Sequence, residues 1–301
     1  MEMKMKYYKV AGLTFCVQMD ERLELEGRLK AYEPFETEPT ENLLFTLPVL
    51  PDEDANPHTS GWELIVNSEE GGYLTELYMD DAGRYHYLSC FDWKPGMWFC
   101  VDYNRDMKDA FCRVHGDADF QLQALNNALM LMYALCSATK NTMLFHSSVV
   151  MHRGKGYMFL GKSGTGKSTH SQLWLKYIPD CELLNDDNPV VKIINGKPWV
   201  FGSPWSGKTP CYKNMEVPVG GIVRLWQAPV NEIKRLGILQ AYAALLPTVS
   251  SMRWEQWCAD SISASLNELI KTVPIFSLKN RPEETAARMS YKALVGEDGR
   301  D

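Results

Sequence analysis

A chain of 301 residues has room for one or two compact domains, and a composition of 45% hydrophobic and 23% charged residues is that of an ordinary folded protein. With 38 acidic residues against 31 basic ones the formal net charge is -7, and no long basic run interrupts it. Nucleic acid and anionic membrane are therefore not expected partners. The start, MEMKMKYYKVAGLTF, spreads Lys4, Lys6 and Lys9 instead of setting a basic cluster before an apolar block, so no signal peptide is expected and the mature chain is read as beginning here. The longest apolar run, 128–138, falls short of the roughly 20 residues that span a bilayer. The 8 cysteines form no C-x-x-C pair and mostly sit in apolar segments, as free thiols of a reduced, cytoplasmic protein do.

Residues 1–117 carry short β-type runs, YYKVAGLTFCV, WELIV, YLTELYM, YHYLSC and MWFCVDY, separated by turn signals at Glu70-Gly71-Gly72, Asp80-Asp81-Ala82-Gly83 and Lys94-Pro95-Gly96. They predict a mostly antiparallel β module. The Pro-rich, acidic stretch 34–60 reads as a long connection around one short apolar segment. No phosphate, metal or proton-transfer constellation is present in this half, which is assigned to the acceptor side or to a partner surface.

From residue 118 the period changes. Leu122, Leu125, Leu129, Met132, Tyr133 and Cys136 fall on one face of a helix over 118–139, a stripe that points to a sheet-facing core. Then come apolar TMLFHSSVVM, the turn Arg153-Gly154-Lys155-Gly156, apolar YMFLG, a glycine loop, a helix over 167–177, and the runs CELLN and NPVVKII. This succession predicts an α/β core. The last third adds the strand GGIVRLWQA, helical segments near 237–246 and 255–271, the strand PIFSL and a final helix from about Pro282. Residues 118–301 are read as the second unit.

The stretch GKSGTGKST, 161–169, fits G-x-x-x-x-G-K-[ST] with Gly161, Gly166, Lys167 and Ser168 in the fixed places. Its position after a β-type run and before a helix makes the pattern mechanical: glycines let backbone N–H groups turn inward onto phosphate oxygens, and the helix N-terminus adds favourable partial charge. Lys167 reaches the β- and γ-phosphates and the Ser168 hydroxyl sits on Mg²⁺, with Ser163, Gly164, Thr165 and Thr169 completing the cradle. The expected ligand is ATP. Eighteen residues after Lys167 begins Asn185-Asp186-Asp187-Asn188-Pro189, which puts the first aspartate nineteen residues on. Alone it signals a turn. Beside a phosphate loop, an acidic pair at a strand end supplies what phosphoryl transfer needs, one carboxylate for the metal and one to accept a hydroxyl proton. His146 sits on an apolar strand expected to adjoin the loop's own strand, where a satisfied core histidine is the commoner outcome. The loop 201–209 is a second glycine-bearing turn, rich in donors, and offers Ser203 and Lys208 to an acceptor.

With these residues in place the chain resembles the P-loop kinases that include HPr kinase/phosphorylase and ATP-dependent phosphoenolpyruvate carboxykinase. The likeness covers about 140–210, where His146-Ser147-Ser148-Val149, GKSGTGKS and Asn185-Asp186-Asp187 follow in the carboxykinase order of strand histidine, glycine loop and aspartate pair. GSPWSGK is similar to a GTPW-x-GK segment of bacterial relatives of HPr kinase. The resemblance implies a carboxykinase-like P-loop domain behind the β module. It also implies Asp186 as base or Mg²⁺ ligand, and His146 with Asp187 as ligands of a transition metal such as Mn²⁺. Assembly of identical copies is compatible with it. Motifs that grip a four-carbon keto acid are not found, nor is the arginine-rich loop of HPr kinases. An ATP-dependent kinase acting on a hydroxyl of a small metabolite or protein serine therefore ranks first. A nucleotide-binding sensor without substantial turnover ranks second, and a carboxykinase third.

Overall fold

The computed structural model describes residues 2–70, 72–91, 96–207, 209–252 and 255–296. It is a mixed α/β protein that divides into two compact units, 1–136 and 137–301. The sequence reading opened the second unit at 118. The division at 136 instead leaves the helix α1 (Ala118–Ser137) with the β unit.

In the first unit the strands are β1 (Met3–Val10), β2 (Leu13–Asp20), β3 (Leu43–Pro51), β4 (Glu63–Glu70), β5 (Tyr73–Met79), β6 (Tyr85–Phe91), β7 (Trp98–Tyr103) and β8 (Phe111–His115). Among the described residues they form one sheet in the order β1-β2-β3-β8-β7-β6-β5-β4, antiparallel except where β3 lies parallel to β2 and β8. The run YYKVAGLTFCV is two strands, because Ala11 and Gly12 both take left-handed backbone (φ 47 and 76) and turn a hairpin. The segment read as a connection holds β3 near the middle of the sheet. Its prolines, Pro48 and Pro51, hid a strand whose Phe45, Leu47 and Val49 are buried. The helix α1 lies over this sheet: Phe120 meets Phe91 at 4.9 Å between ring centroids, and the buried Tyr133 hydroxyl donates to the Val10 carbonyl at 3.0 Å. Burying each such aromatic contributes about 1.5 to 3 kcal/mol.

The same unit holds a buried ionic group. His86 Nδ1 lies 2.6 Å from Asp102, and Arg113 reaches the other Asp102 oxygen at 3.2 Å. Cys100 completes the one group of three histidine, cysteine or carboxylate donors within 4.8 Å of one another among the described residues. Asp102 is already balanced by the guanidinium, and burial, with the Asp102 charge second, pushes the Cys100 thiol up to about 12. The cluster is an internal ion pair rather than a cation cage.

The second unit contains β9 (Thr142–Leu144), β10 (Ser147–His152), β11 (Lys155–Leu160), β12 (Cys181–Asp187), β13 (Val190–Ile194), β14 (Lys197–Phe201), β15 (Glu216–Gln227), β16 (Glu232–Arg235) and β17 (Ile275–Asn280). Its further helices are α2 (Lys167–Tyr177), α3 (Ile238–Leu245), α4 (Gln256–Thr272) and α5 (Glu284–Val295). The long β15 serves two pairings: Glu216 to Pro218 pair with β14, and the rest lies parallel to β11 on one side and β17 on the other. Helices α2 and α5 pack over one face around Trp174, whose ring meets Tyr157, Phe159 and Tyr291 at 5.3, 5.2 and 5.7 Å. No helix of the described residues is long and apolar enough to cross a membrane.

The packing of α2 on α5 has a consequence for acid stability. The Ser290 hydroxyl donates to the Ala287 carbonyl at 2.9 Å, so its oxygen accepts from Trp174 Nε1–H at 2.8 Å and from His170 Nε2–H at 2.9 Å. This leaves His170 Nδ1 bare, buried and without a partner among the described residues. A proton there has no acceptor, and burial lowers the His170 pKa to about 4. The unfolded chain takes up that proton first, so the stability is complete above about pH 6.5, declines as pH falls and levels off below the folded value, a loss of about 3 kcal/mol. Urea unfolding at a series of pH values should show this decline in the unliganded protein and a shallower one in His170→Gln. Equal slopes in both proteins would remove His170 from the account.

Candidate functional site

The strand, glycine loop and helix occur in the predicted order: β11 ends at Leu160 and α2 begins at Lys167. Gly166, at the N-cap, has φ 95, a conformation that side-chain-bearing residues seldom adopt. The helix starts without a side-chain cap, so its first-turn N–H groups face the loop. Thr165 closes the loop on itself, its hydroxyl donating to the Lys162 carbonyl at 2.7 Å. Ser163, Gly164, Ser168 and Thr169 are exposed and Gly161 and Lys167 are buried.

Lys167 is the centre of the arrangement. Its Nζ donates to the Gly161 carbonyl at 3.2 Å and lies 2.8 Å from His146 Nε2. The other ring nitrogen of His146, Nδ1, is 3.0 Å from Asp187. A charged Lys167 requires Nε2 to accept, which places the ring proton on Nδ1, toward the carboxylate. Lys167, His146 and Asp187 thus form a row from cation to anion. Burial pushes the lysine pKa down, while Asp187 and then Asp186 oppose the shift.

His146 is not within a regular strand. It occupies the bend between β9 and β10, where its N–H donates to the Thr248 carbonyl at 2.7 Å. That bend turns the ring out of the apolar core. The aspartates are the last two residues of β12, and register sets Asp186 opposite Ser148 and Asp187 opposite Ser147 on β10, next to His146. Asp186 is buried, whereas the Asp187 side chain is 35% exposed and held by Asn188 Nδ2 at 2.9 Å. The pair is consecutive in sequence but unequal in environment.

The second glycine-bearing loop closes over this pair. Gly207 N–H donates to the Asp186 carbonyl at 2.6 Å, and a Cβ on Gly207 would come within 3.2 Å of Asp187 Cβ, so only glycine fits without displacement. Ser203 is fully buried. Its hydroxyl donates to the Asn188 carbonyl at 2.6 Å and accepts from Trp205 N–H and Asn185 Nδ2, each at 3.2 Å, so it shapes the loop from within. Lys208 lies outside the described residues.

Sequence reasoning passed over two features. The segment 244–248 borders the site by taking the His146 N–H, and the strand GGIVRLWQA places Arg224 at the carboxyl end of β15. The available signal was one arginine within an otherwise apolar run. Chemically, the group offers backbone donors, a buried cation, a histidine and two carboxylates of different exposure. The oxygens of Ser168, Asp186 and Asp187 suit a hard divalent cation, and His146 adds the nitrogen that a transition metal accepts.

No protein-family model matches the sequence, and no curated protein matches it. Among solved structures, the HPr(Ser) kinase/phosphatase from Coxiella burnetii is similar at 14% identity over 50% of this chain and 97% of its own, with a TM-score of 0.29. A superposition this loose leaves the chemistry to be read from the residues.

Proposed function

We propose that the chain is an ATP-dependent phosphotransferase whose second unit is a P-loop domain of the carboxykinase-like kind. The acceptor is a hydroxyl of a small metabolite or a protein serine. The observation that carries this reading is the row Lys167–His146–Asp187, with the buried Asp186 beside it, at the mouth of a glycine loop. A loop that only grips a nucleotide needs the lysine and at most one carboxylate for the metal, whereas transfer to a hydroxyl needs a base as well.

In this reading the loop amides and Lys167 hold the phosphates and orient the terminal one. Asp186 takes the proton of the acceptor hydroxyl as its oxygen bonds to the γ-phosphorus, the β–γ bridging bond breaks, and ADP leaves. Ser168 and Asp187 would hold Mg²⁺ or Mn²⁺, with His146 as a further ligand, and the cation supplies charge neutralisation at the phosphate oxygens. The fit rests on the donors present, which are hydroxyl and carboxylate oxygens with one imidazole.

The test is to incubate the purified chain with ATP and either cation, together with a panel of hydroxyl metabolites and seryl proteins. The expected result is a phosphorylated product formed in step with ADP. Tight MgATP binding with no product from any acceptor would replace the kinase by a nucleotide sensor.

A further inference from the structure

The carboxyl end of β15 carries a cation that the fold leaves largely uncompensated. Arg224 stands between β11 and β17, in register with Leu160 and Ser277, and is only 6% exposed. Nη1 donates to the Ala244 carbonyl at 2.8 Å and the guanidinium lies 5.3 Å from the Trp226 ring centroid. Nε is buried and has no partner, and no carboxylate pairs with Arg224 among the described residues. A guanidinium does not shed its proton inside a protein, and a buried charge without a counter-ion is strongly unfavourable.

This cation belongs to the neighbourhood of the glycine loop. Leu160, its register partner, is the residue that precedes Gly161, and Gln227, three positions further along β15, donates to the Gly164 carbonyl at 3.0 Å. The segment that takes the Arg224 N–H at Ala244 also takes the His146 N–H at Thr248, and His146 in turn contacts Lys167. Two buried cations thus belong to the carboxyl ends of neighbouring parallel strands, Lys167 through its bond to Gly161 after β11 and Arg224 on β15, where open α/β sheets bind ligands. Capping of α3 at its last turn uses one guanidinium N–H and leaves Nε unexplained.

We propose that Arg224 is a second cationic anchor of this site, which binds the oxyanion of the terminal phosphate of a nucleoside triphosphate together with Lys167. The inference rests on the phosphotransferase reading for the identity of the ligand. It goes beyond it in assigning recognition of the third phosphate to a residue outside the glycine loop.

Isothermal titration of the full-length chain with MgATP and with MgADP tests it, alongside thermal unfolding. The parent is expected to favour MgATP. Arg224→Met should lose about 10- to 100-fold in MgATP affinity, as expected for one charge-assisted contact, with MgADP nearly unchanged. Arg224→Lys, which keeps the charge and is the safer variant for folding, should fall between the two. An unchanged ATP-to-ADP preference in either variant would overturn the anchor while leaving the phosphotransferase intact. So would equal losses for both nucleotides accompanied by a lower melting temperature, the signature of a cap alone. A parent chain that binds neither nucleotide would overturn both readings.

Discussion

Lys167→Ala is expected to reduce MgATP affinity by at least about 10- to 100-fold, the range for a lost charge-assisted contact, while the protein remains folded. The fold should tolerate the change for a reason visible in the structure. The ammonium is buried and its pKa is pushed down by that burial, so holding it charged is unfavourable in the absence of ligand. Its partners in the protein are a carbonyl, Gly161, and a half-exposed histidine that water can satisfy once the amine is gone. The melting temperature should therefore stay level or rise as nucleotide binding disappears, the behaviour of a residue retained for function against stability. Calorimetric titration with MgATP and a thermal scan of the same preparation decide the matter. Binding as tight as in the parent would remove the glycine loop from the site. A collapse of the melting temperature would show Lys167 to be structural.

The parts of this arrangement that the sequence made legible are those whose signal is local. GKSGTGKST carries its own geometry, because a glycine at the N-cap and a lysine at the first helical position are consecutive requirements of one turn. The stripe from Leu122 to Cys136 reports its helix for the same reason, and α1 runs over Ala118–Ser137 against the expected 118–139. What escaped is long-range. β3 is a strand because β2 and β8 flank it, and no periodicity within its Pro-containing sequence announces those neighbours. The run NPVVKII reads as a strand, and β13 begins at its Val190, but its hairpin partner β14, which opens with Lys197-Pro198, is not read at all. The place of His146 at a bend is set by the Thr248 carbonyl, about a hundred residues away in sequence. Arg224 was passed over because its significance lies in what β11 carries next to it.

Asp186→Asn is expected to lower transfer to a hydroxyl by about 10²- to 10⁴-fold with a much smaller effect on nucleotide affinity, since it keeps size and hydrogen bonding but removes the proton acceptor. The structure gives a reason to place that role on Asp186 and the metal on its neighbour. Asp186 is buried, in a setting where a carboxylate is sheltered from water, and its backbone is clamped by Gly207 N–H at 2.6 Å. Asp187 is open to solvent and holds His146 Nδ1 at 3.0 Å, so it joins the imidazole nitrogen to a carboxylate where a cation can enter. Asp187→Asn should consequently shift the dependence of turnover on Mg²⁺ and Mn²⁺ toward higher concentrations, and His146→Gln should weaken the response to Mn²⁺ more than that to Mg²⁺, as loss of a nitrogen ligand does. The decisive measurement is ATP affinity and turnover for each variant across both metal series. A turnover loss confined to Asp187→Asn would exchange the two roles, and unaltered turnover in both aspartate variants would leave the chain a sensor of ATP with no transfer step.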